Sequence, residues 1–516
     1  MAIVVVQVGQ CGNQLGDELW RQLSLATNNG AVPSPFFTQH PRKARCVLID
    51  SEPKVVRDVY AHHSEIMRSE NVISGQSGRG NHWALGYYGV DDPMSRRSAE
   101  NAVVSQPFQV VKDQRRSDNC VLRNALRAIY AETRRTSDAL EFEAIVVLHS
   151  LAGGTGSGMT TRLLEKIRYY FIEPLEEENN NNSGRRGGGG GGGVIDEMEE
   201  VEMMRRDGLD GMLMEKRRAS YLITITVTPQ SVGELSTQGL NAALTLHALQ
   251  ENADAVLLLR NDDVFNQYEE SLLTGRSRHN GTVNSSLSSS SSAVSPLGLF
   301  IKPCLTFKEA NEVFVTLLLP IFMYGRSANA IGELVMKCSP NHREMNNILT
   351  ILPIPQRQYL RYKQSVVLSR FYRLQGSKQH MPGVCPNVPL ELIHTAKSLR
   401  DPDLVYSEED VQIPKMLLPT ISTSSSSTST STTRTTSRKT AVGPSALLLQ
   451  NMEGVLVMNE ARELNARVLF PLLRSAALKV KAGAFMSTFL DIGFTAECIE
   501  AAIHEVAERL ADAEDV

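Results

Sequence analysis

The segment AGGTGSG at residues 152–158 carries the strongest chemical signal in this 516-residue chain. Glycines allow positive φ and let several backbone N–H groups approach an anion, and the amino end of the helix expected after them adds partial positive charge. We interpret the segment as a phosphate-binding turn, with an ordinary strand-to-helix turn as the alternative. It lacks the Lys-Ser or Lys-Thr of a Walker-type loop, and Met159 stands where a dinucleotide fingerprint needs its third glycine.

Three further turns follow predicted strands and contain residues that suit phosphate or metal binding. They are GQCGNQ at 9–14, DSEP at 50–53 and GQSGRGNHW at 75–83. Asp50 and Glu52 place two carboxylates where a phosphate-bound Mg²⁺ would lie, although such a pair alone more often begins a helix. Each segment, taken singly, is compatible with an ordinary turn. Their recurrence after successive strands favours one shared site, because ligands of parallel sheets bind at the carboxyl ends of the strands.

The elements that must position these turns alternate between apolar, β-branched segments and helical patterns. This alternation predicts an α/β fold with a parallel sheet covered on both faces. Thr306 and Glu309 have the spacing of a capping box and open a long apolar helix that Pro320 should kink or end. The last fifth of the chain is predicted to be a helical layer. The predicted strands are 3–8, 46–49, 144–148, 221–227, 255–259, 348–352, 366–372 and 455–458, and the predicted helices include 241–249 and 496–510.

Three stretches differ in composition from the rest of the chain. They are rich in Gly, Ser, Thr, Asn and mixed charges, and they lie at about 176–218, 276–296 and 420–445. Their apolar content is too low to offset chain entropy, so we expect disordered insertions. A role of the Ser/Thr tract in phosphorylation or partner binding is the alternative to simple loop expansion.

The overall composition excludes several classes of function. With 53 Lys and Arg against 57 Asp and Glu, the chain gives no electrostatic argument for binding nucleic acid or a membrane surface. Seven cysteines, none in a C-x-x-C pair, predict a reducing compartment without a zinc or disulfide framework. The first residues lack the basic region of a signal peptide, and the longest apolar run, 313–323, is shorter than the ~20 residues of a membrane span. We therefore expect a soluble intracellular protein.

The four turns together resemble those of the tubulin superfamily, in the same order and at similar spacing. The similarity continues in NAALTLH at 241–247, in Asn261, in the long helix and in KAGAF at 481–485. It covers most of the chain outside the three insertions and implies a tubulin fold. The implied parts are a Rossmann-like GTP-binding domain at 1–305, a core helix at 306–325, an α+β intermediate domain at 326–459 and C-terminal helices at 460–516.

The resemblance implies GTP or GDP with Mg²⁺ as the ligands, and Asp50 and Glu52 as metal-binding residues. Asn261 and Asn311 would read guanine, because an amide both donates and accepts along the base edge. Phe307 stands where the family usually has Tyr, and it can still stack on the base. The implied nucleotide contacts are Gln10, Cys11, Gln14, Asn81, Ser150, Gly153, Gly154, Thr155, Gly156, Glu234, Asn261, Phe307 and Asn311.

The match to the family is less exact in the loop expected near the ribose and at the expected catalytic acid. Glu234 replaces the family's Asp near the ribose, and Gln238 replaces a Glu in the same loop. In this family a carboxylate from the next subunit polarises the attacking water. The matching acid is Glu333 when counted back from Pro340, and the register shifts by one residue when counted forward from Asn329. A solvent-facing helix residue is the alternative for Glu333, and a GTP-binding subunit with little turnover is the alternative for the chain.

Further departures indicate a specialised member of the family. Only residues 353–365 connect two predicted strands where the family places a lateral-contact loop and a helix, so the side-by-side contacts of a microtubule wall are not expected. A defective gene model is the alternative. The sequence ends in DAEDV without a long Glu-rich tail, which predicts no docking of motors through such a tail. The segment NAIGEL at 329–334 resembles the δ class, and the related ζ class fits equally.

Both classes belong with centrioles or basal bodies. The resemblance therefore implies a GTP-binding cytoskeletal protein of the cytoplasm, with other tubulins and centriole or basal-body components as partners, that serves cilium or flagellum assembly. No nucleic acid and no membrane are expected as partners. A dinucleotide-dependent oxidoreductase that uses the Gly-rich turns is the alternative, and the missing third glycine argues against it.

Overall fold

A single sheet forms the centre of the molecule. The computed structural model describes residues 2–27, 35–38, 41–88, 121–135, 142–172, 220–269 except 232 and 234, 305–322, 331–335 except 333, 339, 347–354, 370–374, 454–459 and 462–511 except 492. The strands in these ranges are β1 Ala2–Val8, β2 Cys46–Asp50, β3 Val72–Ser74, β4 Phe142–Ser150, β5 Tyr221–Thr228, β6 Ala255–Arg260, β7 Ile348–Ile354, β8 Arg370–Leu374 and β9 Gly454–Asn459.

The strand order is β3-β2-β1-β4-β5-β6-β7-β9-β8. All pairs from β3 to β7 are parallel, whereas β9 pairs antiparallel with both β7 and β8. The order reverses between β1 and β4, and such a switch point opens a crevice at the carboxyl ends of the strands. This arrangement confirms the predicted α/β fold with a Rossmann-like parallel sheet.

Helices cover both faces of the sheet. They are α1 Gly9–Thr27, α2 Pro53–His63, α3 Trp83–Tyr88, α4 Val121–Arg134, α5 Thr160–Ile167, α6 Gln238–Asn252, α7 Phe307–Phe322, α8 Arg462–Lys481, α9 Met486–Leu490 and α10 Ala496–Ala511. Along β1, Val4 and Val6 pack into one core with α3 to α6 and α8 to α10, and Val5 packs into a second core with α1, α2 and α7. Successive strand residues face opposite sides, so the apolar strands supply both cores.

The C-terminal helices form a layer on α6, as predicted. Helix α6 is buried along nearly its whole length, and α8 and α10 pack against it. Two charge pairs join α6 to α10: His247 Nε2 lies 2.7 Å from Glu505 Oε2, and Glu251 pairs with Arg509. None of the helices among the described residues has the length and apolar content that crossing a bilayer requires.

Helix α7 begins as predicted and extends past its proline. Thr306 Oγ1 accepts from the Glu309 N–H at 3.3 Å, and Glu309 Oε2 accepts from the Thr306 N–H at 2.8 Å, which is a complete capping box. Pro320 does not end the helix, because α7 continues to Phe322, and the alternative of a kink at Pro320 stays a prediction. Burial of the apolar residues around the proline, including Leu319 and Ile321, offsets the lost backbone hydrogen bond.

The strands predicted for an intermediate domain extend the central sheet. Strand β7 is parallel to β6, and β9 and β8 follow it. The division of the chain at 305, 325 and 459 stays a prediction. With the observed strand bounds the short connection is 355–369, and it lies outside the described residues, as do the stretches 176–218, 276–296 and 420–445.

Candidate functional site

Four turns meet in direct backbone contact at the carboxyl edge of the sheet. Gly9 has φ +73°, and a Cβ added to it would lie 2.8 Å from the Gly156 nitrogen. A Cβ on Gly154 would lie 2.5 Å from Arg79 Cβ, and one on Gly75 would lie 2.7 Å from the Ser51 carbonyl oxygen. These contacts leave no room for a side chain at Gly9, Gly75 or Gly154. The structure therefore brings together the segments 9–14, 50–53, 75–83 and 150–158, as the sequence predicts.

The segment after β4 has the backbone of an anion-binding turn. Gly153 has φ +82°, and residues Thr155–Met159 form a π-helical turn that leads into α5. The first N–H groups of a helical segment have no carbonyl partner within it, so they are available to an anion. Ser150, half-buried, donates its Oγ–H to the Ala152 carbonyl at 2.8 Å, and this bond shapes the entry to the turn.

The turn after β2 supplies two carboxylates in different surroundings. Asp50 is buried, its Oδ1 accepts from the Ser51 N–H at 2.8 Å, and burial raises the pKa of the carboxyl to about 6. Glu52 is exposed at the N-cap position of α2. The Ser51 and Thr155 hydroxyl oxygens lie 2.6 Å apart and link this turn to the phosphate turn. Carboxylate and hydroxyl oxygens beside a phosphate turn are a donor set that suits Mg²⁺.

The first turn presents amide side chains to solvent and keeps its thiol neutral. Gln10 and Gln14 are exposed one helical turn apart on α1. Burial raises the pKa of the Cys11 thiol to about 12, so it is a thiol and not a nucleophilic thiolate. Asn13, which the sequence analysis did not select, donates from Nδ2 to the Gly9 carbonyl at 2.9 Å and to the Ile49 carbonyl at 3.0 Å. It ties the first turn to the end of β2.

Asn241 of α6 joins the loop at 75–83 to the phosphate turn. Its Nδ2 donates to the Asn81 carbonyl at 2.9 Å and to the Gly153 carbonyl at 3.1 Å, while its Oδ1 accepts from the Trp83 N–H at 3.0 Å. Asn81 is exposed and has φ +52°. In the sequence, Asn241 stands out only as part of the segment NAALTLH at 241–247, which resembles a helix of the tubulin superfamily. Asn241 connects the two loops through hydrogen bonds to residues that are far from it in the sequence.

His149 lies beneath the phosphate turn and also escaped the sequence analysis. It is fully buried, with Nδ1 3.0 Å from the Gly156 carbonyl oxygen and Nε2 2.9 Å from Thr226 Oγ1. Burial lowers the pKa of the imidazole to about 4. The neutral ring therefore donates from Nδ1 to Gly156 and accepts from the Thr226 hydroxyl. The only local signal was a polar residue in an apolar strand just before the glycines.

We expect His149 to make stability depend on pH. Its folded pKa lies below the ordinary value of about 6.5, so its contribution is fully present above pH 6.5 and is lost as the pH falls towards about 4. The free energy of unfolding should change by about 1.4 kcal/mol per pH unit in this window. His149→Asn keeps a donor for Gly156 without titrating, so urea denaturation should show a shallower slope. The same change at the exposed His504 should leave the slope intact; equal slopes in all three proteins would contradict the assignment.

The residues expected to bind the base lie two strands away from the phosphate turn. Asn261 follows β6, is buried, and donates from Nδ2 to the Thr228 carbonyl at 2.9 Å. Phe307 is 48% exposed, and its ring centre is 5.6 Å from that of Phe265. Asn311, half-buried, lies one turn further along α7. Adjacent strands are about 4.8 Å apart, so roughly 10 Å separates β4 from β6, a span that suits a nucleotide.

Two predicted site residues, Glu234 and Glu333, lie outside the described residues. The neighbours of Glu333 are placed: the Ile331 N–H donates to Glu143 Oε1 at 3.1 Å. Glu143 is at the amino end of β4, whereas the phosphate turn follows its carboxyl end. Burial raises the pKa of the Glu143 carboxyl. Ile331 is therefore anchored at the amino end of β4, opposite the end at which the four turns lie.

Comparisons with known proteins agree with the geometry. A model described as "Tubulin/FtsZ family, GTPase domain" matches residues 2–103. The tubulin beta chain of Porphyra purpurea is 27% identical over 282 residues, which are 51% of this chain and 45% of that relative. The tubulin beta-1 chain of Anemia phyllitidis is 29% identical over 282 residues, again 51% of this chain and 46% of the relative. The chain thus matches slightly less than half of the length of these relatives.

Proposed function

We propose that this chain, which belongs to the tubulin superfamily, binds GTP and GDP together with Mg²⁺ at the carboxyl edge of its sheet. The observation that carries the proposal is the close packing of the four turns: the phosphate turn meets the loops after β1 and β3 at Gly156 and Gly154, and it meets the loop after β2 through the Ser51 and Thr155 hydroxyl groups. Turns that pack this closely at the carboxyl ends of the strands can direct their backbone N–H groups towards one ligand. The composition of the turns suits phosphates and a hard cation.

Each part of the site would contact one part of the nucleotide. Gly153, Gly154, Thr155 and Gly156 would hold the phosphates, and Ser150, Gln10, Cys11, Gln14 and Asn81 would line them. Asp50 and Glu52 would bind Mg²⁺, which neutralises phosphate charge when bound. Phe307 would stack on the base, with Asn261 and Asn311 along its edge, and Glu234 would approach the ribose.

We expect Asn261→Ala to weaken binding of GTP and GDP by about tenfold to hundredfold, because a buried amide that reads the base is lost. Asn266→Ala is the matched control: Asn266 is exposed on the same short helix, 261–269, and its loss should change affinity less than about twofold. Titration with fluorescent guanine nucleotides and Mg²⁺ measures both.

The nucleotide carried by the purified protein tests the whole proposal. We expect extraction and chromatography to release guanine nucleotide. Bound NAD or NADH without guanine nucleotide would overturn the proposal in favour of an oxidoreductase. Equal affinities of the Asn261 and Asn266 variants would show that the base lies elsewhere.

We further propose that any hydrolysis requires a second subunit, with Glu333 as the acid that polarises water. The position of its neighbours supports this. Strand β4 runs from Glu143, which anchors Ile331, to Ser150, and seven residues at about 3.3 Å each span roughly 23 Å. Ile331, two residues before position 333, is therefore remote from the phosphate turn of its own chain.

The cellular part of the proposal is a specialised cytoskeletal role at centrioles or basal bodies, with other tubulins and centriole components as partners. Its support is the δ/ζ-like segment at 329–334 and the short connection between β7 and β8. We expect a fluorescently tagged chain to label basal bodies as discrete spots. Uniform labelling along axonemes would contradict a specialised role and indicate a lattice subunit.

A further inference from the structure

Arg79 is the only lysine or arginine in the four turns. The segments 9–14, 50–53, 75–83 and 150–158 otherwise carry only the acidic residues Asp50 and Glu52 as fixed charges. With one basic and two acidic side chains in these turns, the negative charge of a bound polyphosphate would have to be neutralised by a metal ion and by Arg79. A nucleoside triphosphate carries more negative charge than a diphosphate, so a single arginine affects the two ligands differently.

The loop that carries Arg79 is held directly against the phosphate turn. Arg79 is 4% exposed, and its Cβ and carbonyl oxygen lie 2.5 and 2.8 Å from the position of a Cβ on Gly154. The next two residues, Gly80 and Asn81, both have φ +52° and turn the chain sharply. The two hydrogen bonds of Asn241 to the Asn81 and Gly153 carbonyls fix the distance between the loop and the turn. The backbone and Cβ of Arg79 are thus fixed beside the phosphate turn.

The strand order indicates which end of a nucleotide the Arg79 loop would lie beside. Asn261, expected at the base, follows β6, and the phosphate turn follows β4. The Arg79 loop follows β3, the edge strand on the far side of β1 and β2. A nucleotide that lies across this edge with its base at β6 therefore has its last phosphate towards the β3 side.

We propose that Arg79 is a specificity-determining residue that pairs with the terminal phosphate of a nucleoside triphosphate and makes this chain prefer GTP to GDP. This inference rests on the proposed guanine-nucleotide site. The guanidinium donates through a planar fork that matches phosphate oxygens, and the low solvent exposure strengthens the charge-assisted bond. The terminal phosphate is then recognised from within the chain, without a neighbouring subunit.

The test is the ratio of GTP to GDP affinity in the full-length chain, measured with fluorescent nucleotides and Mg²⁺. Arg79→Gln should weaken GTP binding by about tenfold to hundredfold and change GDP binding less than about threefold. Arg79→Lys keeps the charge without the fork, so it should weaken GTP binding by about threefold to tenfold. Arg57→Gln removes one exposed cation from α2 and should leave both affinities unchanged.

Thermal unfolding gives a second readout that does not require turnover. Mg·GTP should raise the melting temperature of the wild type more than Mg·GDP does, and Arg79→Gln should abolish that difference. Equal losses for both nucleotides, or no loss, would overturn the role of Arg79 while the guanine site stands. A wild type that binds neither nucleotide would overturn the proposed function and this inference together. If Arg79→Gln does not fold, the ratio in Arg79→Lys decides alone.

Discussion

Gly9→Ala should weaken GTP binding by about a hundredfold or more and lower the free energy of unfolding by about 2–4 kcal/mol. Gly9 has φ +73°, which a residue with a Cβ adopts only at a cost of about 1 kcal/mol or more. The added Cβ would also lie 2.8 Å from the Gly156 nitrogen, so the first turn and the phosphate turn must separate. Displacing backbone donors by about 1 Å is enough to lose most of the binding that their alignment provides.

Gly483→Ala separates the two causes. Gly483 has φ +65°, close to that of Gly9, yet a Cβ there has no heavy atom within 4 Å. This control therefore carries the backbone strain without the clash, and it should lose about 1 kcal/mol of stability with unchanged GTP affinity. Urea denaturation and nucleotide titration measure both quantities. If the two variants bind GTP equally well, contact between the first turn and the phosphate turn does not organise the site.

The parts of the fold that the sequence predicted well are those whose residues must be apolar on both faces. Strands β1, β4, β5 and β6 were located to within two residues at each end, because a parallel strand between two helical layers is almost uniformly apolar and β-branched. Strand β3 has only three residues, Val72–Ser74, which is too short to show a period. It becomes a strand only through its pairing with β2.

Helix α4 is absent from the predicted elements, although its pattern can be recognised in the sequence. Its buried stripe is built from small and medium residues, Val121, Ala125, Leu126, Ala128 and Ile129, between exposed or half-buried polar residues. These residues recur at helical spacing, so the amphipathic pattern is present in the sequence, and the helix packs this stripe against β2 and β1.

In the site, too, features set by local sequence could be predicted and features set by tertiary contacts could not. Glycine-rich turns could be predicted because positive φ and close backbone approach are local demands on residue type. Asn241 and His149 could not, because their hydrogen-bond partners are set by tertiary structure: Asn241 bonds to a carbonyl 160 residues away, and His149 bonds across to Thr226, 77 residues away. An asparagine in a helix or a histidine in a strand has no signature of its own. Their hydrogen-bond partners can be identified only in the folded structure.

A second large effect is expected near the amino end of β2, where Glu132→Ala should lower the free energy of unfolding by about 3–5 kcal/mol. The Glu132 carboxylate is fully buried and accepts from Arg68 Nη1 at 3.0 Å, Asn71 Nδ2 at 2.6 Å and Arg135 Nη1 at 2.5 Å. Removing it leaves the largely buried Arg68 guanidinium without its carboxylate, whereas Arg135 is partly exposed and keeps Glu70. A buried charge that loses its partner costs far more than one lost hydrogen bond.

Glu70→Ala is the matched control for Glu132. Glu70 is the other acceptor of Arg135, at 3.0 Å from Nη2, but its side chain is 58% exposed. Water replaces the pair there, so the loss should be at most about 1 kcal/mol. Comparable losses in the two variants, measured by urea denaturation, would show that burial does not strengthen the cluster.

Glu132→Ala should also leave the GTP affinity of the folded protein within about threefold of wild type, because the cluster lies away from the four turns. Asn71, which bonds to Glu132, donates to the Cys46 carbonyl at the amino end of β2, and Asp50 closes the carboxyl end roughly 13 Å away. Gly9→Ala and Glu132→Ala thus differ in kind: the first should impair binding and stability together, the second stability alone. Weak binding in both would mean that α4 holds the nucleotide loops as well as the strands beneath them.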